Sequence, residues 1–384
     1  MGRWEELRSA AQRWRTVKER GIEPEPDRAG FRAGFERIVR NGAVAAHAIV
    51  EIPSHRPPWT DTHIDVEPGQ HVTVFSRGRT YLSRALDIWV GPQFQLWARV
   101  GENGEIFNGT RASNSFPCEE GGRLYLASYF PGQWGDRHGR VGTDIRAYAK
   151  VEGGLTAVVL VWKQDAASGL SALMRACEGD GARPDIAAEV AAEAARAAEP
   201  PLPPRNWHYL WFLGRSDIYR ERDGCISCNT HANVGILQTE TPAELTPQTR
   251  LIWDWKVDEL PSEFAEDAVA THDYMSIAVE FSDGRDITYY WSNRLPPEMG
   301  YWCPLDGWKD REFHVVLRSG PIGLGEWLSE SRNLYDDYRR YIGDAPSRIV
   351  RVWLIANSLF QRRAGACTYR NIRLTGGGPA IVVA

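Results

Sequence analysis

Residues 272–292, HDYMSIAVEFSDGRDITYYWS, form two runs of alternating apolar and polar residues joined by SDGR, the pattern of a β-hairpin. Successive side chains of a strand point to opposite faces, so a sheet built on this hairpin has to bury one face and present the other differently. The same texture recurs. In LIWDWKV, Leu251, Trp253, Trp255 and Val257 alternate with Ile252, Asp254 and Lys256. Between about 43 and 163, AVAAHAIVEI, HVTVFS, LDIWV, FQLWARV, RLYLASYF and LTAVVLVW follow one another between turn residues. The expected fold is mainly β: two antiparallel β-sandwich or jelly-roll domains.

A chain of 384 residues exceeds one ordinary core, and its texture changes where domains would divide. Residues 3–20 and 27–40 space Trp4, Leu7, Ala11 and Trp14, then Phe31, Phe35 and Ile38, as a short helical hairpin would. Residues 164–204 are alanine-rich and end in PPLPP, a stiff extended boundary. The expected organisation is a helical N-terminal extension (1–42), a first β-sandwich (43–163), a helical linker (164–204) and a jelly-roll-like ligand or catalytic domain (205–384). One helix is expected within the last, near 326–342.

Composition excludes several classes of function. No apolar run is long enough to span a bilayer, and the mixed charges of MGRWEELRSAAQRWRTVKERG lack the apolar core of an export signal, so a cytoplasmic protein without membrane partners is expected. With 45 basic against 50 acidic residues there is no electrostatic footprint for nucleic acid. Six scattered cysteines read as reduced thiols. Sixteen tryptophans and fourteen tyrosines either fill cores or make platforms for sugars and other ring-bearing ligands.

The hairpin decides which. With an even-length turn at Asp283-Gly284, facing residues sum to 567, which places Met275, Ile277, Val279 and Phe281 in the core. His272, Tyr274, Ser276 and Glu280 then share the opposite face with Tyr289 and Trp291, an aromatic cleft with titratable groups. His272, Glu280 and Tyr274 are the candidate catalytic residues; Tyr289, Trp291 and Ser276 are candidate ligand contacts. His272 and Glu280 lie roughly 26 Å apart along a strand, so each needs a partner from elsewhere. Tyr289 and Trp291 packed inside with Met275 and Ile277 would remove this cleft and the enzyme assignment with it.

Two further constellations add candidates. Cys225, Cys228 and His231 fall at i, i+3 and i+6. A zinc reading lacks a fourth ligand unless His272 completes it, and an inward thiol with outward neighbours is the alternative. Cys228 and His231 point to opposite faces of an extended strand and are carried forward as separate ligand contacts. Arg332, in EWLSESRNLYDDYRRYIG, could grip an anion or sit on a solvated helix face beside pairs such as Asp336 with Arg340. No glycine-rich phosphate loop, G-x-S-x-G elbow or H-E-x-x-H occurs in the sequence.

The stretches PGQHVTVFSRG, Tyr81 with LDIWVGP, and LYLASYFPGQWGDRHGRV, within about 55–163, resemble the PA-I galactophilic lectin family of bacteria. That resemblance implies a β-sandwich and calcium-mediated galactose binding, with Tyr81 and Asp136 at metal-ligand positions. Neighbouring positions depart from the family and read Arg137, Gln133 and Tyr129. From about 205 to 376, LIWDWKVDELP, HDYMSIAVEF, ITYYWS, RNLYDDYRRYIG and YRNIRL resemble a bacterial domain family of unknown function.

These residues lead to an enzyme of lyase, isomerase or hydrolase type, acting by general acid–base chemistry on a small ring-bearing molecule, carbohydrate-like or hydrophobic. It needs no cofactor, and calcium in the lectin-like domain is what the resemblance adds. The alternatives are a lectin-like carbohydrate-binding protein without catalysis, and a structural or assembly protein.

Overall fold

The computed structural model describes residues 10–384 except 12, 16, 20, 41, 130–133, 180–182, 212–215, 377 and 378. The chain divides into two compact units, residues 21–201 with 211–215, and residues 1–20 with 202–210 and 216–384. No helix among the described residues is long and apolar enough to cross a membrane.

In the first unit, helix α1 (Arg28–Ile38) precedes strands β1 (Val44–Pro53), β2 (Trp59–Val66), β3 (His71–Ser83), β4 (Ile88–Val90), β5 (Leu96–Val100), β6 (Ser113–Pro117), β7 (Gly122–Ser128) and β8 (Glu152–Trp162), followed by helices α2 (Ala166–Gly179) and α3 (Pro184–Ala198). One sheet runs β1-β8-β3-β4 with β6 also against β3, and a second runs β2-β7-β5. Val72, Val74, Leu126 and Val159 fill the space between them. The outer face of the larger sheet buries Phe75, Val158, Leu160 and Trp162 under Phe31, Phe35, Leu170 and Ile186 of the three helices. With both faces covered, β8 reads as the continuous apolar run LTAVVLVW. Residues 10, 11, 13–15 and 17–19 are helical, and the rest of the expected first helix lies outside the described residues. The two segments expected to pair as an N-terminal hairpin belong to different units.

The second unit contains β9 (His208–Tyr209), β10 (Tyr219–Arg222), β11 (Cys225–His231), β12 (Val234–Glu244), β13 (Arg250–Glu259), β14 (Tyr274–Phe281), β15 (Asp286–Ser292), β16 (Gly300–Trp302), β17 (Glu312–Ser319), β18 (Leu328–Asn333), helix α4 (Leu334–Tyr341), β19 (Arg348–Asn357), β20 (Ala364–Thr375) and β21 (Ile381–Val382). A seven-stranded sheet, β16-β17-β15-β14-β19-β12-β9, accompanies a six-stranded one, β10-β11-β20-β13-β18 with β21 against β20. All pairings are antiparallel except β15 with β17. Trp253, Trp255, Ile277, Val279 and Leu354 belong to the core they share. The alternation of LIWDWKV is reproduced residue by residue, with its odd-numbered positions buried.

The helix expected over 326–342 begins only at Leu334. Residues 328–333 are instead strand β18, paired with β13. Asn333 ends the strand and starts the helix, its side-chain oxygen accepting from Tyr335 N at 3.1 Å and Asp336 N at 3.2 Å, the geometry of an N-cap.

The hairpin differs from expectation by one residue, with large effect. Ile277 pairs with Tyr289 and Glu280 with Asp286, so facing numbers sum to 566. The loop has three residues: Gly284 N donates to Phe281 O at 3.0 Å, Phe281 N donates to Arg285 O at 2.8 Å, and Gly284 takes φ +82°. This is a tight turn closed by one left-handed residue, for which glycine carries little steric penalty. Tyr289 and Trp291 therefore share the core face with Met275, Ile277, Val279 and Phe281, and the cleft expected from those rings does not form. A one-residue change of register moves every side chain to the other face.

A Cβ at residue 284 would meet nothing within 4 Å, so Gly284→Ala is strained only through its backbone. It should lower the unfolding free energy by about 1 kcal/mol, measured as a fall in the denaturant midpoint at constant m-value.

Candidate functional site

The even-numbered residues of β14 and β15 form the other face of the seven-stranded sheet, and they too are buried. Edge strand β16 carries Tyr301 within this face, and residues 303–308 beyond it lie against the face. Tyr301 stacks on His314 (centroids 5.1 Å apart, planes 9°), Cys303 meets His272, and Trp308 stands edge-on to Trp353 at 6.3 Å. What lies beneath is a closed polar layer rather than a solvated sheet face.

At one end of the layer, His272 sits just before β14, Cys303 just after β16 and His314 within β17. Their exposures are 0%, 1% and 0%, and one ligand-type atom from each lies within 4.8 Å of the others. The His272 Nδ1 proton goes to the carbonyl of Glu266 at 2.6 Å, because a carbonyl can only accept. That leaves Nε2 as a bare acceptor 3.4 Å from Cys303 Sγ. His314 has no hydrogen bond to either ring nitrogen among the described residues. Its Nε2 lies 3.3 Å from Glu312 Oε1, close but not aligned for a hydrogen bond. Tyr274 donates to the same Glu312 oxygen at 2.8 Å. Burial pushes His272 down to about 4 and His314 well below its ordinary value, and pushes the Cys303 thiol up.

At the other end, three carboxylates lie side by side on neighbouring strands: Glu280 opposite Asp286, and Asp286 beside Glu312. Glu280 accepts from Arg351 Nη1 at 2.9 Å and from Trp353 Nε1 at 3.1 Å. Thr288 Oγ1 lies 2.9 Å from Asp286 Oδ1 and 3.2 Å from Glu312 Oε1, with one proton to give. Burial, and then the Glu312 charge, hold Asp286 well above the usual carboxylate range; burial likewise raises Glu312. Buried like charges that push one another's protonation apart are a feature of functional sites.

Of the sequence candidates, His272, Tyr274, Ser276 and Glu280 share this layer, and Ser276 Oγ has no hydrogen-bond partner among the described residues. Tyr289 and Trp291 do not. Tyr289 donates to Asp337 Oδ2 at 2.7 Å and Trp291 Nε1 to Gly320 O at 2.9 Å, and both are packed in the core. Arg332 is engaged by Asp337 (2.8 Å from both Nε and Nη2) and by Glu298 at 2.7 Å, so its guanidinium ties β18 to α4 instead of facing a ligand. Cys228 is buried opposite Cys367, while His231 is exposed at the end of the same strand; neither belongs to the layer.

In the first unit, Asp136 caps its own turn, accepting from His138 N at 2.9 Å, Arg140 N at 3.1 Å and Arg140 Nε at 3.1 Å. Donors, where a calcium site needs oxygen acceptors, surround its carboxylate. The Tyr81 ring packs under the Arg84 guanidinium, 4.0 Å from the ring centroid. Tyr129 Oη accepts from Gly142 N at 3.0 Å, and Gln133 lies outside the described residues.

Sequence reasoning missed Cys303, Glu312, His314 and Asp286. Glu312 and His314 carry a signal, two polar residues at i and i+2 alternating with Phe313 and Val315. It acquires meaning only once β17 is known to lie beside β15. Cys303 carries none.

Replacing Arg332 by Met leaves the buried Asp337 carboxylate without its cation. The expected outcome is a loss of about 2–3 kcal/mol of unfolding free energy, read from chemical denaturation, whereas an arginine reserved for a ligand would leave stability unchanged.

Residues 205–373 match the family described as "Protein of unknown function (DUF3047)", a family of unknown function as the C-terminal resemblance implied. No curated protein matches the chain. Among solved structures, the N-terminal domain of EclA, a PllA-like lectin, aligns at 13% identity over 30% of this chain and 95% of its own, with TM-score 0.22. The xyloglucanase domain of NopAA, a type three effector from Sinorhizobium fredii in complex with cellobiose, aligns at 10% identity over 45% and 94%, with TM-score 0.28. The secreted serine protease VesC from Vibrio cholerae aligns at 10% identity over 81% and 48%, with TM-score 0.22. Likenesses this distant bring no ligand and no reaction to this chain.

Proposed function

We propose that the C-terminal unit is an enzyme of hydrolase, lyase or isomerase type, working by general acid–base chemistry on a small, carbohydrate-like ring molecule. The observation that carries this reading is the Glu280–Asp286 pair: two carboxylates directly opposite one another on rigid strands, in unlike surroundings. Glu280 accepts from Arg351 and from Trp353, which hold its carboxylate in place, while Asp286 is set against the Thr288 hydroxyl. Such a pair supplies one group to take a proton and another to give one. Trp353 lies beside Glu280 with Trp308 edge-on against it, and flat amphipathic rings of this kind suit the apolar face of a sugar.

Tyr289 and Trp291 are packed in the core, so the enzyme assignment loses the aromatic cleft on which the sequence rested it, and the present reading stands on Glu280 and Asp286 instead. Glu280 and Asp286 are only 8% and 7% exposed. A ligand therefore reaches them when Trp308 moves away from Trp353, and the loop carrying Trp308 acts as the cover.

A panel of aryl glycosides and uronide-containing oligosaccharides covers hydrolytic and eliminative cleavage. On any member turned over, Glu280→Gln and Asp286→Asn are each expected to lower kcat by about 100-fold or more, with Tm little changed. Wild-type turnover in both variants would end the reading, and binding of a sugar without turnover would favour a non-catalytic carbohydrate-binding role.

A further inference from the structure

We propose that His272 Nε2, Cys303 Sγ and His314 Nε2, with Glu312 as the fourth donor, form a closed binding centre for a zinc-class divalent cation.

Geometry comes first. Zinc bound at about 2.0–2.1 Å to nitrogen or oxygen and about 2.3 Å to sulfur in a tetrahedron sets neighbouring ligand atoms roughly 3.3–3.6 Å apart. The His272–Cys303 separation is 3.4 Å and the His314–Glu312 separation is 3.3 Å. The first joins nitrogen to sulfur and the second nitrogen to oxygen, each the length of one tetrahedral edge, and one ligand atom from each of His272, Cys303 and His314 lies within 4.8 Å of the other two.

The orientation of His272 agrees. A metal-ligating imidazole commonly donates its other N–H to a carbonyl or carboxylate, which fixes the ring and leaves a lone pair for the metal. Here Nδ1 donates to Glu266 O, and Nε2 is turned toward Cys303. Glu312 has a comparable support in the Tyr274 hydroxyl.

An independent observation is His314 itself. It is fully buried, and neither nitrogen finds a hydrogen bond among the described residues. A buried polar group left in that state costs about 1–3 kcal/mol, and its ring is walled by His272, Tyr274 and Tyr301 at centroid distances of 4.7, 4.8 and 5.1 Å. A cation between Nε2 and its neighbours satisfies the ring where no side chain does. It also supplies positive charge beside the buried Glu312 carboxylate.

The donor set selects the metal. Two imidazoles, a thiolate and one carboxylate suit zinc, whereas calcium and magnesium prefer oxygen donors alone. Binding releases the Cys303 thiol proton to solvent as the thiolate forms. With four protein donors and no exposed edge, the centre serves structure: it staples the segment after β16 to β17 and to the turn before β14. It stands whether or not Glu280 and Asp286 catalyse anything.

The test uses the full chain, produced without a histidine tag in zinc-supplemented medium. Elemental analysis is expected to find one zinc per chain. After removal of zinc, added cobalt(II) should give the absorption of a tetrahedral site with a thiolate-to-cobalt band, lost in Cys303→Ser and kept in Cys228→Ser and Cys367→Ser. A zinc chelator should lower Tm by about 10 °C. A wild-type chain without bound zinc and without a cobalt spectrum overturns the proposal, as does a thiolate band that survives in Cys303→Ser or disappears in Cys228→Ser. Should Cys303→Ser fail to fold, the wild-type stoichiometry and spectrum and the two folded cysteine variants still decide. Metal content does not depend on turnover, so a catalytically silent chain with a full complement of zinc retains the centre and loses only the acid–base reading.

Discussion

The three-residue loop Ser282–Gly284 fixes the parity of β14 against β15, and through it the nature of both faces of the seven-stranded sheet. Odd numbers look into the core with Trp253 and Trp255; even numbers gather His, Tyr, Ser, Thr and carboxylate side chains on the opposite side. Moving the loop by one residue would send Tyr289 and Trp291 to the polar layer and Tyr290, Thr288 and Asp286 into the apolar core. The β15 and β17 strands are parallel neighbours in register, so the same parity carries over to Glu312 and His314. A turn at the edge of the hairpin thus determines which groups meet several strands away.

A sheet face of this composition opposes folding unless something offsets it. Withdrawing a carboxylate from water costs several kcal/mol, and here three adjoin one another while Arg351 is bonded to one of them, Glu280. The apolar interior on the other side of the sheet, with four fully buried aromatic side chains from Trp253, Trp255, Tyr289 and Trp291, provides the stabilisation that tolerates it. Local rules broken inside a well-satisfied fold mark places kept for chemistry or binding. The layer has two such places: the histidine–cysteine group around residue 272, and the Glu280–Asp286 pair.

Strand texture was legible because period-two alternation needs only local sequence, and LIWDWKV shows it without ambiguity. ITYYWS could not be read that way. Tyr289, Tyr290 and Trp291 are consecutive rings, so either parity puts an aromatic residue in the core, and only the loop length separates the two. The start of α4 failed for a related reason. LSESRN has both helix-tolerant residues and alternation, and pairing with β13, a partner distant in sequence, decides for the strand. Cys303 was out of reach altogether, and the alternation that marks His314 gains meaning only through the sheet order that brings β16 and β17 to the turn before β14.

The segment between Cys303 and Glu312 connects the two halves of the layer. Its ends are pinned: Cys303 N donates to Glu312 O at 2.9 Å, and Asp286 N donates to Arg311 O at 2.8 Å. Its middle is closed on itself, with Trp308 N on Leu305 O at 2.9 Å and Glu312 N on Trp308 O at 2.9 Å. Trp308 O also accepts from Arg311 N at 2.9 Å, so lifting Trp308 breaks its two bonds to the base of the bend while the strand pairing of β17 stays intact. A cation on Cys303 and Glu312 would grip the two residues that bound this bend, so Trp308 could lift from Trp353 while His314 stays sealed. The proposed staple and the proposed cover then make opposite mechanical demands on one loop, and they meet at the two hydrogen bonds that Trp308 O accepts.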